Sequence, residues 1–90
     1  MDFEWDSAKA AANFRKHGVS FEKAVSALKD SLAATARDLA HSVTEFRFIT
    51  FGISARRRLL AVSHTERGNT IRIISARLAT RTERKIYEEG

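Results

Sequence analysis

Hydrophobic positions in the first third of the chain recur with helical spacing. The Ala-rich segment Ser7–Lys16 is predicted to form a helix, with Asp6 as its N-cap and Gly18 just past its end. Ser20 is predicted to cap a second helix. The apolar residues of that second helix follow the i, i+3, i+4, i+7 spacing of a buried stripe: Phe21, Ala24, Val25 and Leu28.

The rest of the chain has the composition of β-strands. Runs rich in Phe, Ile, Val, Leu and Thr predict four strands, of which the first is the weakest: Leu32–Thr35, Glu45–Gly52, Arg58–Glu66 and Thr70–Ala76. A polar stretch, Arg37–Thr44, follows the first of them, and Phe3–Trp5 adds a short strand at the start. Thr80 and Glu83 have capping-box spacing, which predicts a last helix over Arg81–Glu89.

This order of elements, β-α-α-β-β-β-β-α, predicts the fold class. It indicates an α+β protein with a small antiparallel sheet whose helices pack mainly on one face. A chain of 90 residues is expected to form a single domain, 1–90, around one small core. The opposite face of the sheet would then be available to a partner.

A tight Gly-Asn turn is predicted at positions 68–69, between the last two strands. With a two-residue loop, His64 lies opposite Ile73 and Thr65 lies opposite Arg72. A bulge of one residue would reverse the faces on which later side chains lie. The hairpin gathers a histidine, a carboxylate and three arginines, a set suited to gripping a phosphodiester and moving protons beside it.

Charge is distributed unevenly along the chain. The net charge is +5 and the pI is about 10.2. Residues 1–45 hold six Lys/Arg and seven Asp/Glu, whereas residues 46–90 hold ten and four, and nine of those ten are arginine. Arginine favours bidentate contacts with phosphate. Charge alone gives a nucleic-acid partner about the same weight as an acidic protein partner or mere solubility.

Composition argues against several other classes of protein. The chain has no cysteine, so it can form neither a disulfide nor a thiolate zinc site. Its three histidines are scattered without metal-ligand spacing, and we predict no metal and no other cofactor. No apolar run approaches the roughly 20 residues that cross a bilayer. The acidic N-terminal segment lacks the features of a secretory signal, which predicts a cytoplasmic protein without membrane contact.

Two segments carry a distinctive set of residues. The opening segment contains Phe3-Glu4-Trp5-Asp6, Lys9-Ala10, Asn13, Lys16-His17-Gly18-Val19-Ser20-Phe21-Glu22 and Ala24. The closing segment contains His64-Thr65-Glu66-Arg67-Gly68, Ile71-Arg72-Ile73-Ile74-Ser75-Ala76-Arg77, Ala79-Thr80-Arg81, Glu83-Arg84 and Tyr87-Glu88. Together they resemble the BrnT family. The middle of the chain, roughly Ala27–Val43, departs from the family pattern, with Ser31 where a proline is expected. Arg57 also stands where a small turn residue is usual.

The resemblance implies a RelE-like fold and a ribonuclease activity, as the toxin of a type II toxin–antitoxin pair. It also implies a BrnA-like antitoxin, a DNA-binding protein that masks the toxin. The complex would repress its own operon, so DNA would be contacted only through the antitoxin complex.

A ribonuclease that works without a metal needs a base for the ribose 2′-OH, cations for the phosphate and an acid for the leaving oxygen. Arginine cannot be the base because it stays protonated. Arg72 and Arg77 are therefore electrostatic candidates, and His64 is the acid/base candidate because its ordinary pKa lies near neutrality. The alternatives are a strand histidine that hydrogen-bonds a neighbour and arginines that are merely solvated.

Six further residues are candidates for substrate binding: Lys9, Lys16, His17, Arg67, Arg81 and Tyr87. Each has a simpler alternative role. Lys16 and His17 end the first helix, where positive charge suits the helix dipole. Tyr87 could stack on a base, although packing against the sheet is an equally simple role for it.

Three functions fit these patterns. The first is a metal-independent RNA endonuclease that a partner protein neutralises. The second is a nucleic-acid-binding module without catalysis, whose binding would depend on salt and survive loss of His64. The third is a partner-binding protein that acts in operon autoregulation and whose basic face docks an acidic antitoxin segment.

Overall fold

The computed structural model describes residues 1–39 and 46–89. The elements follow the predicted order: β1 (Asp2–Glu4), α1 (Ser7–His17), α2 (Phe21–Leu28), β2 (Ala34–Arg37), β3 (Arg47–Ile53), β4 (Leu59–Arg67), β5 (Thr70–Leu78) and α3 (Arg81–Glu89). The α+β prediction is confirmed. The predicted polar stretch Arg37–Thr44 lies partly outside the described residues, as does the predicted first residue of the Glu45–Gly52 strand.

The predicted helix boundaries follow from local hydrogen bonding. The Asp6 carboxylate accepts bonds from the backbone N–H groups of Ala8 (2.8 Å) and Lys9 (3.1 Å) at the start of α1. Gly18 follows α1 with φ +70°, in the left-handed region that glycine adopts without strain. The Ser20 hydroxyl accepts a bond from the N–H of Lys23 at the start of α2. These three caps confirm the sequence prediction.

The five strands within residues 1–39 and 46–89 form one sheet with the order β1-β5-β4-β3-β2. Neighbours from β2 to β5 are antiparallel, as predicted, but β1 pairs in parallel with residues 70–72 of β5. The sheet is therefore mixed rather than antiparallel throughout. The opening strand occupies the outer edge of β5, which local patterning could not reveal because its partner lies almost 70 positions away.

Of the three helices in the described part of the chain, α1 and α2 cover one face of the sheet, which we call the α1/α2 face. Here the buried residues of α2 pack against β4 and β5, and their shared core includes Phe21, Ala24, Ala27, Leu60, Val62, Ile73 and Ala76. The third helix packs on the opposite face, the α3 face, where Tyr87 and Ala79 contact the cluster Phe51, Leu59 and Ala61. The prediction that helices lie mainly on one face thus holds for α1 and α2, whereas α3 covers part of the other.

An irregularity in β5 sets the direction of its side chains. His64 pairs with Ile73 and Thr65 with Arg72, which confirms the predicted turn register. Ser63, however, pairs with Ser75, so Ile74 is an extra residue in β5. Arg72 and Arg77 are five positions apart and would face opposite sides of a regular strand. The bulge places both of them on the α3 face.

The β3–β4 turn contains the one non-glycine residue with a positive φ within residues 1–39 and 46–89, Arg57 at φ +61°. This region of backbone conformation favours glycine or asparagine. The positive φ of Arg57 explains why a small turn residue was expected at this position. The turn nevertheless closes normally, since the Arg57 N–H donates to the Ser54 carbonyl (2.8 Å).

Candidate functional site: an arginine-rich strip on the α3 face

A row of polar side chains crosses the sheet near its end at the 68–69 turn. The strand register sets Arg47 of β3 opposite Thr65 of β4, and Thr65 opposite Arg72 of β5. Glu4 of β1 continues the row beside Arg72. Residues paired in this way share a face and bring their Cβ atoms within about 4.5–5.5 Å of each other. The row lies on the α3 face because Arg72 alternates with Ile73, whose side chain is in the α1/α2 core.

Thr65 at the centre of this row has an unsatisfied polar group. Its side chain is 1% exposed, and its Oγ1 has no hydrogen-bond partner among the described residues. Buried hydroxyls are normally hydrogen-bonded, because leaving one unpaired costs about 1–3 kcal/mol. This hydroxyl lies between arginines of both neighbouring strands, but its burial keeps it from a ligand unless the site rearranges locally.

Arg72 is only weakly engaged by the protein. Its Nη1 lies 3.8 Å from Glu4 Oε1, and the two side chains are 33% and 44% exposed. Exposed pairs at this distance contribute little to stability. The guanidinium can therefore exchange Glu4 for a phosphate at small energetic cost, which is the property expected of a substrate-binding arginine.

Arg77, in contrast, is held firmly by α3. Its Nη1 and Nη2 donate to the two carboxylate oxygens of Glu83 at 2.7 and 2.9 Å. Glu83 also accepts from the Thr80 N–H, and the Thr80 hydroxyl accepts from the Glu83 N–H, which confirms the predicted capping box. The hydrogen bonds from Arg77 lower the pKa of Glu83 to about 2. The start of α3 thus fixes the position of this guanidinium.

The Glu83 contact predicts a pH-dependent contribution to stability. Its pKa in the folded protein, about 2, is below the ordinary 4.5, so the carboxylate stabilises the fold fully above pH 4.5 and this contribution is lost as the pH falls towards 2. We expect the difference in unfolding free energy between wild type and Glu83→Gln to be constant near neutrality and to shrink below pH 4.5. Denaturant titrations at several pH values measure it. A difference independent of pH would contradict the paired carboxylate.

Two serines connect the arginine row with Arg77. Ser63 and Ser75 face each other across β4 and β5, and Ala61 pairs with Arg77 further along the same two strands. Both serines are partly buried. We call this surface the polar strip and define it by six residues: Arg47, Ser63, Thr65, Arg72, Ser75 and Arg77. It combines the firmly held Arg77 and the weakly held Arg72 with partly buried serine hydroxyls, groups that suit phosphate oxygens along a chain.

His64 lies away from the polar strip. It projects to the α1/α2 face and is 2% exposed. Its Nε2 is 2.8 Å from the Thr50 hydroxyl, which in turn is 2.7 Å from the Thr35 hydroxyl, and its ring stacks on Phe48. The structure therefore brings Arg72 and Arg77 together but leaves His64 behind the sheet. The arrangement fits a strand histidine bonded to a neighbour, and an acid/base role for His64 stays a prediction.

Burial controls the protonation of this histidine. Burial lowers the pKa of His64 below its ordinary 6.5, and the Glu66 charge opposes this shift only in part. A folded pKa below the unfolded one means that the stability from His64 is complete above pH 6.5 and is lost as the pH falls below it. We expect NMR titration of the imidazole to give a midpoint below 6.5. A midpoint at or above that value would show that the ring reaches solvent or a charged partner.

The remaining predicted site residues are spread around the molecule. Lys9 and Lys16 are exposed on α1, and His17 is half-buried at its end. Arg67 and Arg81 are exposed at the end of β4 and the start of α3. Tyr87 packs on the α3-face cluster, and its hydroxyl donates to Asp30 Oδ2 at 2.6 Å. Tyr87 therefore packs against the sheet, and the binding roles of all six residues stay predictions.

Sequence reasoning missed the role of Asn13. Asn13 is spaced i, i+4, i+7 with Lys9 and Lys16, which predicts a shared solvated face on the helix, yet Asn13 is 8% exposed. Its side chain accepts from the Ala76 N–H (3.1 Å) and donates to the Ala76 carbonyl (2.8 Å) and the Val19 carbonyl (3.0 Å). Asparagine is a poor helix former, and its place within an Ala-rich helix was the available signal.

The described part of the chain contains neither a metal-binding cluster nor a membrane-spanning helix. No group of three or more His, Asp or Glu side chains in residues 1–39 and 46–89 is placed to hold a metal ion. No helix there is long and apolar enough to cross a membrane.

The fold and the polar strip define a small basic α+β protein whose sheet presents arginines and hydroxyls suited to a polyanion. Residues 5–83 match the family model described as the ribonuclease toxin BrnT of type II toxin–antitoxin systems. The chain belongs to this BrnT family, as the sequence resemblance implied. It is a family of toxins with ribonuclease activity, and membership implies an antitoxin partner.

A solved structure agrees with this assignment. The crystal structure of the Brucella abortus ribonuclease toxin BrnT is similar, with a TM-score of 0.65 and 25% sequence identity. The match covers 90% of this chain and 99% of the Brucella chain. No curated protein matches the sequence.

Proposed function

We propose that this protein is a cytoplasmic endoribonuclease that cleaves RNA without a metal ion and is neutralised by a BrnA-like antitoxin. The observation that carries the proposal is the polar strip. The bulge at Ile74 turns Arg72 and Arg77 to the same face, where both side chains are partly exposed. Such an array matches the charge that builds on a phosphate during cleavage.

The proposed reaction uses the RNA's own 2′-OH as nucleophile. The 2′-oxygen forms a bond to phosphorus, loses its proton to a base, and the P–O5′ bond breaks as an acid protonates the leaving 5′-oxygen. The products are a 2′,3′-cyclic phosphate and a 5′-hydroxyl. Arg72 and Arg77 stabilise the phosphate oxygens, with Arg77 held in position by Glu83. His64 is the proposed acid/base group. Because it faces the α1/α2 side of the sheet and is bonded to Thr50, β4 would have to rearrange locally for the ring to reach a substrate on the polar strip.

The wider partners follow from the same proposal. The exposed cations Lys9, Lys16, Arg67 and Arg81, together with His17 and Tyr87, extend the RNA contact beyond the reacting phosphate. The antitoxin masks the toxin, and the complex of the two proteins contacts operator DNA through the antitoxin alone.

The proposal is tested by incubating end-labelled RNA with the purified protein in EDTA and analysing the cleaved ends. We expect unchanged cleavage after chelation and a 2′,3′-cyclic phosphate on the product. His64→Ala, checked for folding, should lose cleavage if the imidazole is the acid or base. Cleavage that EDTA abolishes and Mg²⁺ restores would contradict the metal-independent mechanism.

The burial of His64 favours a second candidate function, a nucleic-acid-binding module without catalysis. A histidine that is 2% exposed does not contact a bound phosphate without local rearrangement. This alternative predicts RNA binding that weakens with salt, survives His64→Ala and produces no cut ends. Binding and cleavage assays on the same preparation separate the two functions.

A further inference from the structure

A cavity of about 330 Å³ opens on the α1/α2 face, between the end of α1, the start of α2 and the β3–β4 turn. Its apolar part is formed by Val19, Leu60 and Phe14, and the Phe14 side chain is 56% exposed. Exposed aromatic side chains next to a concavity mark binding sites more often than isolated surface residues do. The cavity is separate from the polar strip, which lies on the opposite face.

Three cations line the same cavity: Lys23, Arg56 and Arg58. Within residues 1–39 and 46–89, no carboxylate lies within ion-pair distance of any of the three. Three such cations around an apolar pocket repel one another and are stabilised by an anionic occupant. The complementary ligand therefore carries negative charge around one apolar group.

We propose that this cavity docks an acidic segment of the antitoxin, with one bulky apolar side chain inserted beside Phe14 and carboxylates paired with Lys23, Arg56 and Arg58. The inference rests on the proposed neutralisation by an antitoxin and names the surface that such a partner engages. Central apolar anchors surrounded by charged pairs are typical of protein–protein contacts.

The position of the cavity favours a protein segment over RNA. Ile53 and Leu59 flank the β3–β4 turn, and Tyr87 of α3 packs on the α3 face against the cluster that contains Leu59. An RNA strand bound along the polar strip would have to pass around α3 to reach the cavity. A protein segment needs no such continuity.

The test uses random peptides displayed on phage and selected against the wild-type protein. We expect selected peptides to carry Asp or Glu around a Leu, Ile, Phe or Trp. Their affinity should fall at least about tenfold for the Lys23→Glu/Arg58→Glu variant, since several close charge pairs are reversed. Phe14→Ala should weaken binding without changing charge. The control Arg84→Glu/Lys85→Glu reverses two exposed cations on α3 and should leave peptide binding intact.

Three outcomes would overturn the proposal. In the first, the selection enriches no acidic peptides. In the second, the selected peptides bind the charge-reversed variant as well as they bind wild type. In the third, that variant loses RNA binding while peptide binding is unchanged. The last outcome would assign the cavity to RNA. The RNA cleavage assay tests the proposed nuclease independently of the docking site, because the Lys23→Glu/Arg58→Glu variant should cut RNA normally. Failure of wild type to cut RNA would therefore contradict the proposed nuclease without deciding the docking site.

Discussion

Replacing Arg72 with alanine is expected to lower RNA cleavage by about 10²–10³-fold, the usual effect of removing one preorganised donor from a site of developing charge. The fold should be little affected, because this side chain is held by a 3.8 Å pair with the half-exposed Glu4. The measurement is the single-turnover rate on a labelled RNA, together with the unfolding free energy of the variant.

Three variants make this result specific. Arg72→Lys keeps the charge but loses the bidentate fork, so its rate should lie between those of wild type and the alanine variant. Glu4→Gln removes the weak partner and should leave cleavage intact or faster. Arg15→Ala removes an exposed arginine at the end of α1 and matches the change in net charge. If Arg15→Ala and Arg72→Ala lowered the cleavage rate equally, the effect would come from net charge alone, and Arg72 would not be part of the site.

Local sequence signals predicted most of the secondary structure. Asp6 and Ser20 cap α1 and α2 as expected, because these contacts lie within three residues of the cap. The hairpin register next to the turn at positions 68–69 was also correct, since a two-residue turn fixes the pairs beside it. Features determined by neighbouring residues are those that patterning can find.

The composition of the site was harder to predict because it depends on a single extra residue. Alternation along β5 assigns Arg72 and Arg77 to opposite faces, and only the bulge at Ile74 reverses one of them. His64 and Arg72 were grouped by sequence proximity, yet they lie on opposite faces of neighbouring strands. No local signal marks Ile74 as the extra residue of the bulge. This part of β5 is stabilised by a contact from α1, which spans 63 positions of the sequence.

That contact leads to the second large effect, in which Asn13→Ala lowers the unfolding free energy by about 2–4 kcal/mol. β1 pairs with β5 only at residues 70–72, so beyond it the outer edge of β5 has no strand partner among the described residues. The Asn13 amide takes the place of a peptide group there, bonding both the N–H and the carbonyl of Ala76. The variant leaves two buried backbone groups unpaired, together with the Val19 carbonyl.

The sign of the change distinguishes this mechanism from helix propensity. Alanine is the better helix former, so at a solvated helix position Asn→Ala would stabilise the protein by about 0.5 kcal/mol. Asn13→Asp keeps the size of the side chain but cannot donate, and it should also destabilise the fold because the carbonyls of Ala76 and Val19 lose their donor. Denaturant titration measures both variants.

Since Ala76 lies two residues beyond the bulge, loosening this edge should also misplace Arg77 and lower RNA cleavage in the folded fraction. An Asn13→Ala protein as stable as wild type would show that the bulge holds its position without α1.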